Sequence, residues 1–379
     1  MRIALVTETW VPAVDGVVTR LRVTMAELLR RGHAVMLIAP YGNGVGEYPP
    51  GVHVVEAPSL GWKFVSDGRR FGVPVRGPVR KALEEFRPDV VHVLSPYILC
   101  RPAITAARKL SIPVVSSFHY HLPAAAQHAG LGVLTRPLWG YLRRQHGHCD
   151  HTLATSNAMV EVMRDLGVGP VSLWPFGVDL QRFTPERRTP QARRRLIGNR
   201  ETTVALYAGR LAPEKRVERL IPLAKDPRIT LVVVGDGQLR PMLEKELHGT
   251  GTVFTGWLSG DDLADAYAAA DVFTFPSDSE TLGFVLIEAM ASGLPIVAVN
   301  NAPTAEILGD SGAGLLLQTD QWPQAASVVA GLGQGTARET AGSAARARAE
   351  DWDWSAATDS LIATYRSVLP TSSQLLAAS

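Results

Sequence analysis

Short β-branched runs alternate with amphipathic stretches along almost the whole chain, and the alternation runs through once and then starts again. The first pass offers strands at Arg2–Val6, Ala34–Ala39, Val90–Leu94, Pro113–Ser117 and Thr152–Ala154. The second offers Thr203–Ala208, Thr230–Val234, Val253–Thr255, Val272–Phe275 and Ile296–Val299. This rhythm predicts α/β architecture, parallel sheets covered by helices on both faces. A length of 379 residues is more than one hydrophobic core usually organises. Two Rossmann-like, doubly wound domains are therefore expected, at residues 1–178 and 179–355, with a C-terminal helix at 356–379 packing back onto the first. Between Arg2–Val6 and Ala34–Ala39, the residues Val18, Leu21, Met25, Leu28 and Leu29 share one helical face, and Gly32 stands where a glycine ends such a helix. The proline- and arginine-rich passage PFGVDLQRFTPERRTPQARRR, from residue 175, lacks strand periodicity and reads as the linker.

Two cysteines, Cys100 and Cys149, are too few for a disulfide framework, and MRIALVTETW has no signal-peptide pattern. No apolar run approaches the roughly 18 residues that a spanning helix needs. A cytoplasmic protein is expected. Charge is uneven: Lys+Arg exceeds Asp+Glu by 19 to 12 over residues 1–178 and falls short by 19 to 24 over residues 179–379. A basic half suits phosphates or anionic headgroups, and equally a solvated surface.

Ligands of open parallel sheets bind beyond the carboxyl ends of the strands. The first such loop, TETWVPAVDG, ends in Gly16 at a helix start, where backbone N–H groups can approach an anion or simply form a turn. GNGVG at residues 42–46 lacks the dinucleotide spacing, and no Walker sequence occurs. In the second half Arg210 follows a strand and Lys215 lies five residues on, so two cations can hold a diphosphate from two sides. Gly235-Asp236-Gly237 marks a tight turn. The strongest signal is SDSETLGFVLIEAMASGLPIVAV: Glu280 in a loop, Leu282 and Gly283 at a helix start, and Glu288 inside the helix. Carboxylates so placed can accept hydrogen bonds from sugar and ribose hydroxyls, and helix-start N–H groups can meet phosphate.

The E-x7-E element, preceded by GRLAPEK, resembles glycosyltransferase family 4, whose members have the GT-B fold, two Rossmann-like domains facing across a cleft. TETW, VDGVVTRL, SSFHYHLPAAAQHAGLGVL and FPSDSETLGFVLIEAMASGLPIV are most similar to its sulfoquinovosyl-diacylglycerol synthase and glycolipid mannosyltransferase branch. The likeness runs from residue 1 to about residue 310. It implies a retaining, metal-independent hexosyltransferase using a UDP- or GDP-sugar as donor substrate, with no cofactor beyond it. Arg210 and Lys215 would neutralise the leaving diphosphate, Gly16 would touch it, Glu288 would take the ribose, Glu280 would face the sugar, and His119 would sit near the reacting centre. Phe176, where relatives carry a basic residue, and NNAPTAEI at residues 300–307 depart from the branch.

His119 and His121 form an H-x-H pair, and Asp351-Trp352-Asp353 has D-x-D spacing, but zinc needs three or four converging ligands. No metal site is expected. Leu138, Trp139, Tyr141 and Leu142 with Arg136, Arg143 and Arg144 suit a membrane surface, as does the basic group Arg69, Arg70, Arg76, Arg80 and Lys81. The expected partners are the nucleotide sugar and a lipid acceptor at an anionic surface on the inner face of the plasma membrane, with no nucleic acid. A soluble acceptor, or a GT-B-type nucleotide-sugar epimerase, is the alternative.

Overall fold

A computed structural model of the chain describes residues 1–10, 16–40, 48–61, 70–119, 122–128, 130–278 and 283–370. The chain divides into two compact units, Met1–Phe176 together with the chain from Trp354, and Gly177–Asp353. In the first unit the strands are β1 (Arg2–Thr7), β2 (Ala34–Pro40), β3 (His53–Ala57), β4 (Ser59–Gly61), β5 (Arg70–Gly72), β6 (Val90–Leu94), β7 (Val114–Phe118), β8 (His151–Ala154) and β9 (Val171–Leu173). Seven make a parallel sheet in the order β3-β2-β1-β6-β7-β8-β9, and β4 and β5 pair antiparallel. The second unit holds β10 (Thr203–Ala208), β11 (Ile229–Val234), β12 (Val253–Gly256), β13 (Val272–Phe275), β14 (Ile296–Val299) and β15 (Gly314–Leu317), all parallel in the order β12-β11-β10-β13-β14-β15. Each sheet thus follows the doubly wound order in which the fourth main strand returns beside the first. The switch points are β1/β6 and β10/β13.

Central strands are buried on both faces, which is why they read as continuous apolar runs. β3, β9 and β15 stand at sheet edges and are only partly buried. β12 is likewise an edge strand and partly buried. Without a two-sided core, β3 and β9 are short and interrupted by polar residues, whereas β15 is a brief apolar run, GLLL. Helix Gly16–Arg30 buries Val18, Leu21, Met25 and Leu28 against the first sheet, and burial of each fully enclosed side chain contributes about 2 kcal/mol. Gly32, at φ +77°, closes that helix, its N–H donating to the Leu29 carbonyl at 2.9 Å. Helix Trp354–Val368 returns to the same core through Leu361, Ile362 and Tyr365, and Arg31 ties it down at Asp359 and the Ser355 carbonyl.

The passage read as a linker is structured. Residues Pro190–Ile197 form a helix capped by Thr189. Its arginines are neutralised on the second unit: Arg187 meets Asp265 at 2.8 Å, while Arg188 and Arg193 meet Asp271 at 2.6 and 2.9 Å. Asp271, buried at the head of β13, also accepts the Val204 N–H at 2.8 Å. Sequence spacing could not show that these carboxylates are waiting seventy or eighty residues away. The second crossing, at Asp351-Trp352-Asp353, lies between helices Gly335–Ala349 and Trp354–Val368, and the Trp352 carbonyl accepts the Val178 N–H at 3.0 Å.

Candidate functional site

The β10/β13 switch point gathers most of the expected donor-binding residues. Gly209 follows β10 with φ +152°, and the Tyr207 hydroxyl donates to the Arg210 carbonyl at 2.9 Å. Arg210 is half-buried and pairs with Glu214 at 2.8 Å. A 3-10 turn at Pro213–Lys215 follows and presents Lys215 half-buried. The next loop packs on this one backbone to backbone. A Cβ added at Gly235 would lie 2.0 Å from the Gly209 carbonyl oxygen, and one at Gly237 would lie 2.5 Å from that of Leu211. The Leu211 N–H donates to the Asp236 carbonyl at 2.9 Å. The glycines of Gly235-Asp236-Gly237 are therefore required by loop-on-loop contact, a firmer reason than the turn alone.

From the other side, the Ser277 hydroxyl after β13 donates to the Glu214 carbonyl at 3.3 Å, and Arg219 meets Asp278 at 2.8 Å. Asn301 donates to the Ser277 carbonyl at 3.1 Å and caps helix Ala302–Leu308 in a capping box with Thr304. The departing NNAPTAEI stretch thus braces the loop that leads into the E-x7-E element. Glu280 and Leu282 lie outside the described residues. Gly283, at φ +84°, opens helix Phe284–Ala291, a conformation suited to glycine.

Glu288 is the one carboxylate on that otherwise apolar helix. It is 8 % exposed, and the Tyr267 hydroxyl donates to its Oε2 at 3.0 Å. Burial pushes its pKa from 4.5 up to about 7, against the lowering effect of the Tyr267 hydrogen bond. A carboxyl so buried holds its proton more tightly than an exposed one. Tyr267, within ADAYAAADV, gives no sign in sequence of this pairing.

In the first unit the equivalent crevice is filled from within. Glu8, after β1, accepts the N–H groups of Tyr97, Ile98, Leu99 and Cys100 at 2.8 to 3.0 Å, at the start of helix Cys100–Lys109. The chain's own carboxylate occupies this anion seat. Gly16 is the first residue of helix Gly16–Arg30 and is half-buried, while residues 11–15 of its loop lie outside those described, as does GNGVG.

His119 follows β7, half-buried, with Nε2 at 2.8 Å from Ser117 Oγ and its ring edge-on to Trp174. Burial, and then the charge of Arg20, holds its pKa well below the usual imidazole range. Arg20 is fully buried, its guanidinium carbon 3.5 Å from the Trp174 ring centre, and it donates to the carbonyls of Trp174 and Pro175. Phe176, the other departing residue, is buried against Trp354 and near Arg20. None of this side-chain packing is encoded in a local motif.

His121 lies outside the described residues. Among those described, no group of three His, Cys, Asp or Glu side chains is arranged to hold a metal ion. Helix Thr135–His146 buries Leu142, Gln145 and His146; Leu138, Trp139 and Tyr141 are half-buried, and Arg136, Arg143 and Arg144 are exposed. Just before it Leu131, Val133 and Leu134 are exposed, Val133 at 86 %. Of the second basic group, Arg80 and Lys81 pair with Glu84 and Glu85, and Arg69 lies outside the described residues. No helix among the described residues is long and apolar enough to cross a membrane. Two shallow grooves of the second unit, one along Glu244, His248 and Phe254, the other along Arg200, Lys225 and Asp226, open at the amino ends of β11 and β12, away from these loops.

Comparison with known proteins gives the same two-part division. The sequence model described as Glycosyltransferase Family 4 matches residues 14–182, and that described as Glycosyl transferases group 1 matches residues 189–347. The chain is 36 % identical to a GDP-mannose-dependent alpha-mannosyltransferase of Mycolicibacterium smegmatis, covering 97 % of this chain and 98 % of that one. It is 36 % identical to the sulfoquinovosyl transferase SQD2 of Arabidopsis thaliana over 73 % of this chain and 56 % of that one. Among solved structures, sucrose-phosphate synthase of Thermosynechococcus elongatus superposes with a TM-score of 0.78 at 19 % identity, covering both chains fully.

Proposed function

Because the chain belongs to glycosyltransferase family 4 and has the GT-B fold, we propose that it is a retaining, metal-independent transferase that moves a hexose from a nucleotide-diphosphate sugar, GDP-mannose foremost, to a lipid acceptor. One observation carries the reading: the Arg210–Lys215 segment and the loop entering the Glu288 helix meet at the second sheet's switch point, where Ser277 bonds the Glu214 carbonyl. Arg210 and Lys215 stabilise charge on the departing diphosphate, the term on which such sites depend most. The N–H of Gly283, at the start of helix Phe284–Ala291, adds to it, and Leu282 is assigned to the same diphosphate. Glu288 accepts the ribose hydroxyls and Glu280 those of the sugar. Gly16 offers its backbone to phosphate, and His119 donates a hydrogen bond to substrate. The acceptor hydroxyl attacks from the face the diphosphate leaves, its proton passing to a diphosphate oxygen, so no protein nucleophile is needed.

GDP-mannose as donor is supported by the mannosyltransferase relative, whose likeness runs the length of both chains. The lipid acceptor is supported by the exposed Leu131, Val133 and Leu134 beside exposed Arg136, Arg143 and Arg144, an apolar step with a cationic rim that suits peripheral binding to an anionic leaflet. The test is transfer of labelled mannose from GDP-mannose to lipid in anionic vesicles, with the product digested by an α-mannosidase. GDP-mannose carries its sugar in α linkage, so an α-product means retention. A β-product would overturn the mechanism. Equal turnover with UDP-sugars would overturn the choice of donor, and label released only as free mannose would overturn transfer itself.

A further inference from the structure

Glu288 has two carboxyl oxygens, and the fold treats them differently. The Tyr267 hydroxyl donates to Oε2 at 3.0 Å, and among the described residues no second hydrogen bond reaches the carboxyl. A hydroxyl has one proton to give. The other acceptor near it, the Val285 carbonyl, is 3.4 Å away, so the closer carboxylate oxygen takes that proton. Tyr267 is itself held on all sides. It is fully buried on helix Gly260–Ala269, edge-on to Phe183 and tilted against Phe273, each ring centre 5.7 Å away. Its hydroxyl is therefore a fixed point from which the carboxyl is oriented.

A glutamate needs such a point. Its last torsion is broad and roughly two-fold, so its own rotamer does not set the plane of the carboxyl. Helix Phe284–Ala291 carries no other polar side chain to do so. With Oε2 committed, the plane is set before any ligand arrives, and the ordering cost of binding falls. The vicinal hydroxyls of a ribose are donors that require an acceptor in a set direction. We propose that Tyr267 is a positioning residue for the nucleotide: by taking Oε2 it presents Oε1 to the ribose hydroxyls, and so sets how strongly a ribose is preferred to a sugar ring without them. The inference rests on the proposed assignment of Glu288 to the ribose. It adds a determinant on a different helix, 21 residues away in sequence.

The test compares GDP with 2′,3′-dideoxy-GDP by calorimetric titration of the full-length protein, with GMP as the control for the diphosphate. The wild type should prefer GDP to the dideoxy nucleotide by roughly tenfold or more, as hydrogen bonds to a charged acceptor do. In Tyr267→Phe the rings still pack, but this preference should shrink to within about threefold of unity. The preference for GDP over GMP should stay within about twofold of the wild type, because that choice is made at Arg210 and Lys215. In turnover the donor KM should rise while kcat at saturation holds within about twofold. A ribose preference lost in Glu288→Gln but intact in Tyr267→Phe would overturn this inference alone; intact in both, it would overturn the assignment of Glu288 to the ribose. Equal loss of the ribose and diphosphate preferences in Tyr267→Phe would show a general structural effect and overturn the positioning role as well. Should Tyr267→Phe fold poorly, a crystal structure of the wild type with GDP decides the matter. It should show the ribose hydroxyls on Oε1 with Tyr267 still on Oε2, and a ribose bonded to Oε2 with the tyrosine hydroxyl displaced would overturn the inference.

Discussion

Replacing Glu288 by glutamine should make the protein more stable and a poorer binder, in a manner that depends on pH. The carboxyl is 8 % exposed, and burial raises its pKa from 4.5 to about 7. The folded chain therefore holds this proton more tightly than the unfolded chain does. The group's contribution to stability is complete below pH 4.5 and is lost as pH rises through about 7. At about 1.4 kcal/mol for each tenfold change in proton affinity, the loss comes to roughly 3 kcal/mol. Glutamine keeps the shape and an oxygen for the Tyr267 hydroxyl but does not ionise. Glu288→Gln should match the wild type near pH 5 and melt several degrees higher at pH 8, since 1 kcal/mol moves the melting of a unit this size by about 2–4 °C. Binding should run the other way. GDP-mannose, whose diphosphate is esterified at both ends and does not titrate here, should bind the wild type more tightly as pH rises from 6 to 8, whereas the variant should bind weakly at both. Thermal melts and calorimetric titrations across that range read both effects. A wild type without the stability slope, or a variant no more stable at pH 8, would refute the buried, protonated carboxyl.

Other perturbations probe the frame that holds the site. Gly235→Ala puts a Cβ 2.0 Å from the Gly209 carbonyl oxygen at φ +126° and should cost roughly 3 kcal/mol in denaturant unfolding while weakening nucleotide binding. Glu8→Gln sets an amide among four N–H donors and should lower stability by roughly 2 kcal/mol, with little change in nucleotide affinity because the loss falls in the first unit. Asp271→Asn leaves Arg188 and Arg193 without their carboxylate and should destabilise the second unit by roughly 3 kcal/mol, read by the same unfolding assay. Serine at Leu131, Val133 and Leu134 should reduce co-flotation with anionic vesicles without altering the melting temperature, as these side chains are exposed.

The strands that carry the site were legible because parallel strands buried on both faces must be apolar throughout. β1, β2, β10 and β13 show it within a residue or two of their ends. Of the edge strands, which lack that constraint, β12 was legible, while β3 and β9 are broken by polar residues and β15 is only a four-residue GLLL. Arg210, Lys215, Gly283 and Glu288 stood out because a loop after a strand and a helix start are local features with fixed spacing. Their supports did not, because each is a long-range contact: Tyr267 to Glu288 across 21 residues, and Ser277 to the Glu214 carbonyl across 63. The arginines from residue 187 to 193 show the same limit from the other side. Alone they read as solvated linker, and only the fold brings Asp265 and Asp271 against them.

The central claim is that Arg210 and Lys215 grip a diphosphate, and the difference in affinity between GDP and GMP tests it most directly. Wild-type protein should bind GDP at least roughly tenfold more tightly than GMP, because the second phosphate gains charge-assisted hydrogen bonds. In Lys215→Ala and Arg210→Ala that preference should shrink toward unity while GMP binding is retained. Equal affinity of the wild type for GDP and GMP, or a preference unchanged in both variants, would contradict the account.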